Sequence, residues 1–174
     1  MPTEISGSTG VNKIQDNTIV NADINSSAAI AGSKISGSFG KVLQVVTNEV
    51  TASANATTST SFVSTACTGT ITPSSTSSRI VVLMSATASS EASGRTLYYT
   101  LYRGSSNLGG GNGFGQLYDD DGRTRAGVHL NYYDHPNTTS ATTYTMYYRS
   151  GNGGTVELPP DSFKFVTTMM EIAG

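Results

Sequence analysis

The chain has 174 residues and a mass of 18.1 kDa, with 36% hydrophobic and 13% charged residues, which suits one compact domain plus an accessory segment and excludes two full domains. A net charge of −2 and a pI near 5.6 exclude the basic field that drives nucleic-acid binding, and no run approaches the ~18 apolar residues of a membrane span, so neither nucleic acid nor membrane is an expected partner. Nineteen glycines, nine tyrosines and no tryptophan, beside abundant Ser and Thr, favour an all-β protein with many turns over a helical bundle.

The chain opens on a polar stretch, Met1 to Gly10, without the basic start and apolar run of a signal peptide. From Asn12 to Gly37 isoleucines stand at Ile14, Ile19, Ile24, Ile30 and Ile35, a beat of five or six residues that fits neither a helix nor a strand. Their spacers (Asn17, Asn21, Asn25, Ser26, Ser27, Gly32) prefer turns and extended backbone, so a lone copy closes no core. There are too few turns for a self-supporting solenoid. These five isoleucines are therefore the expected assembly anchors, buried by identical copies round a three-fold axis or by a larger assembly. Residues 1–40 form an extended anchoring arm or stem, and residues 41–174 the module it holds.

The composition changes at Ser36–Gly40. Alternation then predicts strands over Lys41–Val50, over Ser59–Thr72 with a bend, and over Arg79–Thr87, the most apolar run and the centre of a sheet. Thr96–Arg103 places Leu97, Tyr99 and Leu101 on one face and Tyr98, Thr100 and Tyr102 on the other, both covered or in contact. The glycine-rich stretch from Gly104 to Gly115 reads as a mobile loop or the flanks of a hairpin. Further strands are expected at Ala126–Tyr133 (Val128, Leu130 and Tyr132 inward), Thr142–Arg149, Thr155–Leu158 and Phe163–Ile172. About eight strands with closely spaced turns define an antiparallel, jelly-roll-like β-sandwich.

Chemistry is sparse. His129 lies on the polar face of a strand and His135 in an Asp-His-Pro turn, and serines are too numerous for a Ser-His-Asp match with Asp134 to mean anything without geometry. Asp119–Asp121 with Gly122 lacks the spacing and closing Glu of a calcium loop and reads as a hairpin turn, so no metal is expected. Gly109–Gly115 has no following lysine to make a phosphate loop, and no cofactor is expected. Cys67, the single cysteine, excludes an intrachain disulfide framework and a Cys-based zinc site and reads as a buried hydrophobe. The candidate ligand or partner surface is Tyr98, Tyr102, Tyr118, Tyr133, Asp134 and His135, because tyrosine joins an apolar ring to a polar tip. The competing reading gives half of the tyrosines to the core or to subunit contacts.

Two stretches carry a resemblance. GVNKIQDNTIVNADINSSAAIAGSKISG (Gly10 to Gly37), leading into GKVLQVV, resembles the amino-terminal segments of tailed-bacteriophage virion proteins. TSTSFVSTACTGTITPSSTSSRIVVL (Thr58 to Leu83), DHPNTTSATTYTMYYRSGNGGTV (Asp134 to Val156) and MMEIA (Met169 to Ala173) resemble their small β-sandwich modules. The resemblance implies a non-enzymatic homotrimer on the virion surface, made in the host cytoplasm. It would be a capsid decoration or cement protein that clamps the major capsid protein or another virion protein through its arm. The alternative is a short tail or head fibre whose loops, Gly104–Gly115 and Asp134–Ser140, bind a host surface glycan. A hydrolase or metal-dependent enzyme would instead need a pocket joining a histidine to acidic partners.

Overall fold

A computed structural model describes residues 41–174, and the arm with its five isoleucines lies outside the described residues. The described chain is all-β. Its strands are β1 (Val42–Ala52), β2 (Ala56–Thr57), β3 (Val63–Ile71), β4 (Arg79–Ser90), β5 (Arg95–Arg103), β6 (Ser106–Asn107), β7 (Gly115–Asp119), β8 (Thr124–Asp134), β9 (Thr142–Ser150), β10 (Val156–Glu157) and β11 (Phe163–Ile172). Three of these, β2, β6 and β10, are two residues long; each of the eight segments expected from the sequence contains a strand, the Thr155–Leu158 one only the short β10, while β7 was not expected.

All pairings are antiparallel and fall into two sheets. In the first, β4 pairs along one edge with β11 (Arg79–Ser85) and then with β10 (Ser89 and Ser90), and along its other edge with β8; β1 and β2 add outside β11 and β10. In the second, β5 pairs with β9 on one edge and with β7 and β6 in succession on the other, and β3 adds outside β9. Each sheet is thus four strands across. The orders are β1-β11-β4-β8 and β3-β9-β5-β7.

Period-two burial explains why these segments are strands. In β9, Tyr144, Met146 and Tyr148 are buried while Thr143, Thr145, Tyr147 and Arg149 take the other face. β11 repeats the pattern with Phe165 and Met169 inward, and β4 with Ile80, Val82 and Met84. Side chains from both sheets join one apolar core, each buried aliphatic contributing about 1.5–3 kcal/mol. β3 and β11 meet closely there. A Cβ on Gly69 would lie 2.6 Å from Met169 Cε, so only glycine fits without displacing the methionine. Cys67 is buried in the same cluster, and burial, offset in part by Thr167, pushes its thiol up to about 11.

The expected bend in the second strand is a register shift between Ser64 and Thr68. Thr65 Oγ1 accepts from Cys67 N (3.0 Å) and donates to the Met146 carbonyl (2.7 Å), satisfying backbone groups that the ladder leaves unpaired. Two polar networks brace the Arg79 end of β4. The buried Glu171 carboxylate accepts from Ser74 N and Oγ, Ser78 Oγ and Gln44 Nε2 at 2.6–2.7 Å. Burial disfavours its charge, but these hydrogen bonds prevail and hold its pKa down at about 2. Asp134 accepts both Arg103 Nη1 contacts (2.9 and 2.8 Å) and the Tyr144 hydroxyl (2.6 Å).

Candidate functional site

The six sequence-chosen surface residues do not converge. Tyr98 and Tyr102 lie on the outer face of the β3-β9-β5-β7 sheet, and Tyr118 follows on β7 across from Thr96. Tyr133 is 60% exposed on the other sheet. His135 follows β8 and its Nε2 lies 3.2 Å from the Thr76 carbonyl. Asp134 is only 6% exposed, so its assignment to the surface is corrected. It is the last residue of β8, its phase turns it inward, and its carboxylate is held by Arg103 and Tyr144 rather than offered to a partner.

Neither histidine meets a carboxylate among the described residues. His129 Nδ1 faces Ser85 Oγ at 3.2 Å, and no cluster of three His, Cys, Asp or Glu side chains suits a metal among the described residues. Beyond the other end of β4, Arg123 bridges Glu91 (2.9 Å) and Glu157 (3.9 Å). Burial and the neighbouring Glu91 push the Glu157 carboxyl up. Arg123 thereby ties the turn after β4 to β10 and to the turn before β8.

The outer face of the β1-β11-β4-β8 sheet is aliphatic. Val45, Met170, Val81 and Tyr133 are successive cross-strand partners, forming an apolar row across all four strands. Leu83 extends it on one side, Val42 and Ile172 on the other. Val45 is 55% exposed, and Val42 and Leu83 are exposed too. Polar and charged residues surround this row: Arg79, Thr47, Thr168, Asn131, His129 and the Glu49–Lys164 pair.

On the other sheet the outer face is aromatic and cationic. Tyr102 stacks on Tyr147 with centroids 3.9 Å apart, and Phe62 meets Tyr102 edge-on. The Arg149 guanidinium lies 4.2 Å from the Tyr98 centroid and 5.3 Å from that of Phe62. Beside it, Thr68–Thr145 and Thr70–Thr143 pair hydroxyl to hydroxyl at 2.9 and 2.8 Å across β3 and β9.

Two open clefts of similar size border the loops singled out from sequence. One, of about 240 Å³, is lined by Tyr98, Asn112, Gly113, Phe114, Gly115 and Gln116; the other, of about 230 Å³, by Arg103, Gly104, Pro136, Thr138, Ala141, Thr142 and Thr143. The 104–115 excursion is a structured return along one edge of β5. Phe114 N donates to the Tyr99 carbonyl (2.8 Å), and Arg149 Nη2 donates to Gly111 O and Asn112 Oδ1 at 3.2 and 3.3 Å. Gly113 has φ +73° and a Cβ there would run into the Tyr99 carbonyl, so this close return requires glycine. Sequence reasoning missed Arg149, Phe62 and Gln116, whereas Asn112 falls in the Gly104–Gly115 loop that it singled out. The alternate phase of Thr142–Arg149 was the signal for Arg149.

Neither any protein-family model nor any curated protein matches the chain.

Proposed function

We propose that the chain is a non-enzymatic virion structural protein, a homotrimeric capsid decoration or cement protein whose 1–40 arm clamps adjacent capsid subunits. The body is read as a jelly-roll sandwich, since the strand orders β1-β11-β4-β8 and β3-β9-β5-β7 are those of an eight-stranded double-sheet roll. The observation that carries the assembly role is the aliphatic outer face of the first sheet. Its occupant is a second copy of this chain, three copies turning the Val45–Met170–Val81–Tyr133 row to a common axis. Four strands at about 4.8 Å and about ten residues at 3.3 Å give a face on the order of 600 Å², close to the roughly 800 Å² that each partner buries in a standard interface. An apolar, Tyr- and Met-bearing centre inside a polar rim is the anatomy of such contacts.

Sedimentation equilibrium of the purified chain tests this: a trimer is expected, and a monomer at micromolar concentration would overturn it. Locating the protein on intact particles tests the virion assignment, and release on deletion of residues 1–40, with host adsorption intact, is the outcome a cement protein requires.

A second reading, a short tail or head fibre that binds a host surface glycan, is favoured by the Tyr98 cleft. There two aromatic residues, two side-chain amides and two glycines share one open surface.

A further inference from the structure

The geometry points to an acidic-saccharide site in the cleft between Tyr98 and residues 112–116, with Arg149 as the group that recognises the saccharide's negative charge. The two clefts described above nearly match in volume, and each lies beside an arginine. What separates them is charge. Arg103 is neutralised by the buried Asp134 carboxylate, whereas Arg149 has no ion pair among the described residues.

Arg149 is nonetheless fixed. Phe62 and Tyr98 flank its guanidinium, and three of its five N–H groups are donated to Ser150 O, Gly111 O and Asn112 Oδ1. That leaves two N–H donors without an acceptor among the described residues, on a half-buried cation. Rings that hold the charge in position leave it uncompensated, and a carboxylate would supply both the countercharge and a charge-assisted hydrogen bond.

Arg149 does not itself line the cleft but adjoins it through Asn112 and the Tyr98 ring, and the lining selects a sugar ring. Tyr98 and Phe114 offer apolar surface, Asn112 and Gln116 offer amide donors and acceptors for hydroxyls, and Gly113 and Gly115 leave the backbone open to close approach. A volume near 240 Å³ lies below the range of drug-sized pockets and suits one ring of a chain that continues along the surface. A uronic acid residue combines such a ring with the carboxylate that Arg149 lacks.

This inference deepens the glycan reading and rests on it. The test is isothermal titration of the full-length protein with galacturonate oligomers, with neutral galactose oligomers of equal length, and with a polyglutamate peptide. The galacturonate oligomer is expected to bind, more weakly as salt rises, and to lose about ten-fold in affinity in Arg149→Gln and in Tyr98→Ala. Gln116→Ala, on an exposed side chain, should weaken it less and guards against variants that merely disturb the fold. Equal affinity for acidic and neutral oligomers would overturn the assignment to Arg149 while leaving a glycan site standing. Preference for polyglutamate, an unchanged Arg149→Gln, or no binding of any probe would overturn the proposal outright.

Discussion

The two outer faces differ although the two inner faces are alike. Inward, both sheets follow the same alternation and meet in one core. Outward, the β1-β11-β4-β8 sheet carries aliphatic side chains with no covering element described, while the β3-β9-β5-β7 sheet carries stacked rings, a guanidinium and a loop folded back along its edge. Aliphatic surface without directional groups suits a large contact with another protein, because its gain scales with area. Rings interleaved with amides and a cation suit a small polar ligand, because each group imposes a direction. One framework thus presents two chemically different surfaces.

Charge placed in the aliphatic row should produce the largest change. Val45→Glu with Tyr133→Glu is expected to abolish self-association, read by sedimentation velocity, while the circular dichroism of the chain is retained. Continued assembly would move the subunit contact elsewhere.

Removing the brace shared by both sheets comes next. Asp134→Ala strips the carboxylate from Arg103 and the Tyr144 hydroxyl and should cost about 3 kcal/mol in urea unfolding, weakening both surfaces together. Loss confined to one face would show that the faces are separately supported.

Acid should act through Glu171. Its folded pKa of about 2 lies below the ordinary 4.5, so its contribution is full above pH 4.5 and is lost as the pH falls towards 2. Glu171→Gln should be less stable at neutral pH and show a shallower decline over that interval in thermal melts.

The smallest effect is expected at the stacked pair. Tyr147→Ala should cost about 1 kcal/mol, with assembly unchanged, because Tyr102 loses its stacking partner on the aromatic face alone.

The strands were legible wherever one face is apolar and the other polar: Phe163–Ile172 reads directly from its alternation, as does the inward phase of Val128 and Leu130. Of the two-residue strands, β10 falls within the expected Thr155–Leu158, whereas β2 and β6 were not legible: β2 exists through its ladder to β10 and β6 as the short return of a hairpin on β5, and neither carries a period of its own. The site was less legible than the fold. Asp134 stands beside His135 and Pro136 and so looked like a surface loop, yet what fixes it is Arg103, 31 positions earlier. Arg149 read as the end of a strand. Its significance depends on Phe62 and Tyr98 meeting around it, a meeting that only sheet pairing creates.

The excursion between β5 and β7 leaves and rejoins the same edge of one strand, with β6 and β7 as its two attachments. Between those attachments Gly113 is held by its close approach to the Tyr99 carbonyl, but the tip at Gly111 and Asn112 can be exchanged or lengthened without shifting any register in the core. Specificity can therefore diversify at the Asn112 tip while the scaffold beneath it stays constant, as changeable type does in a fixed press.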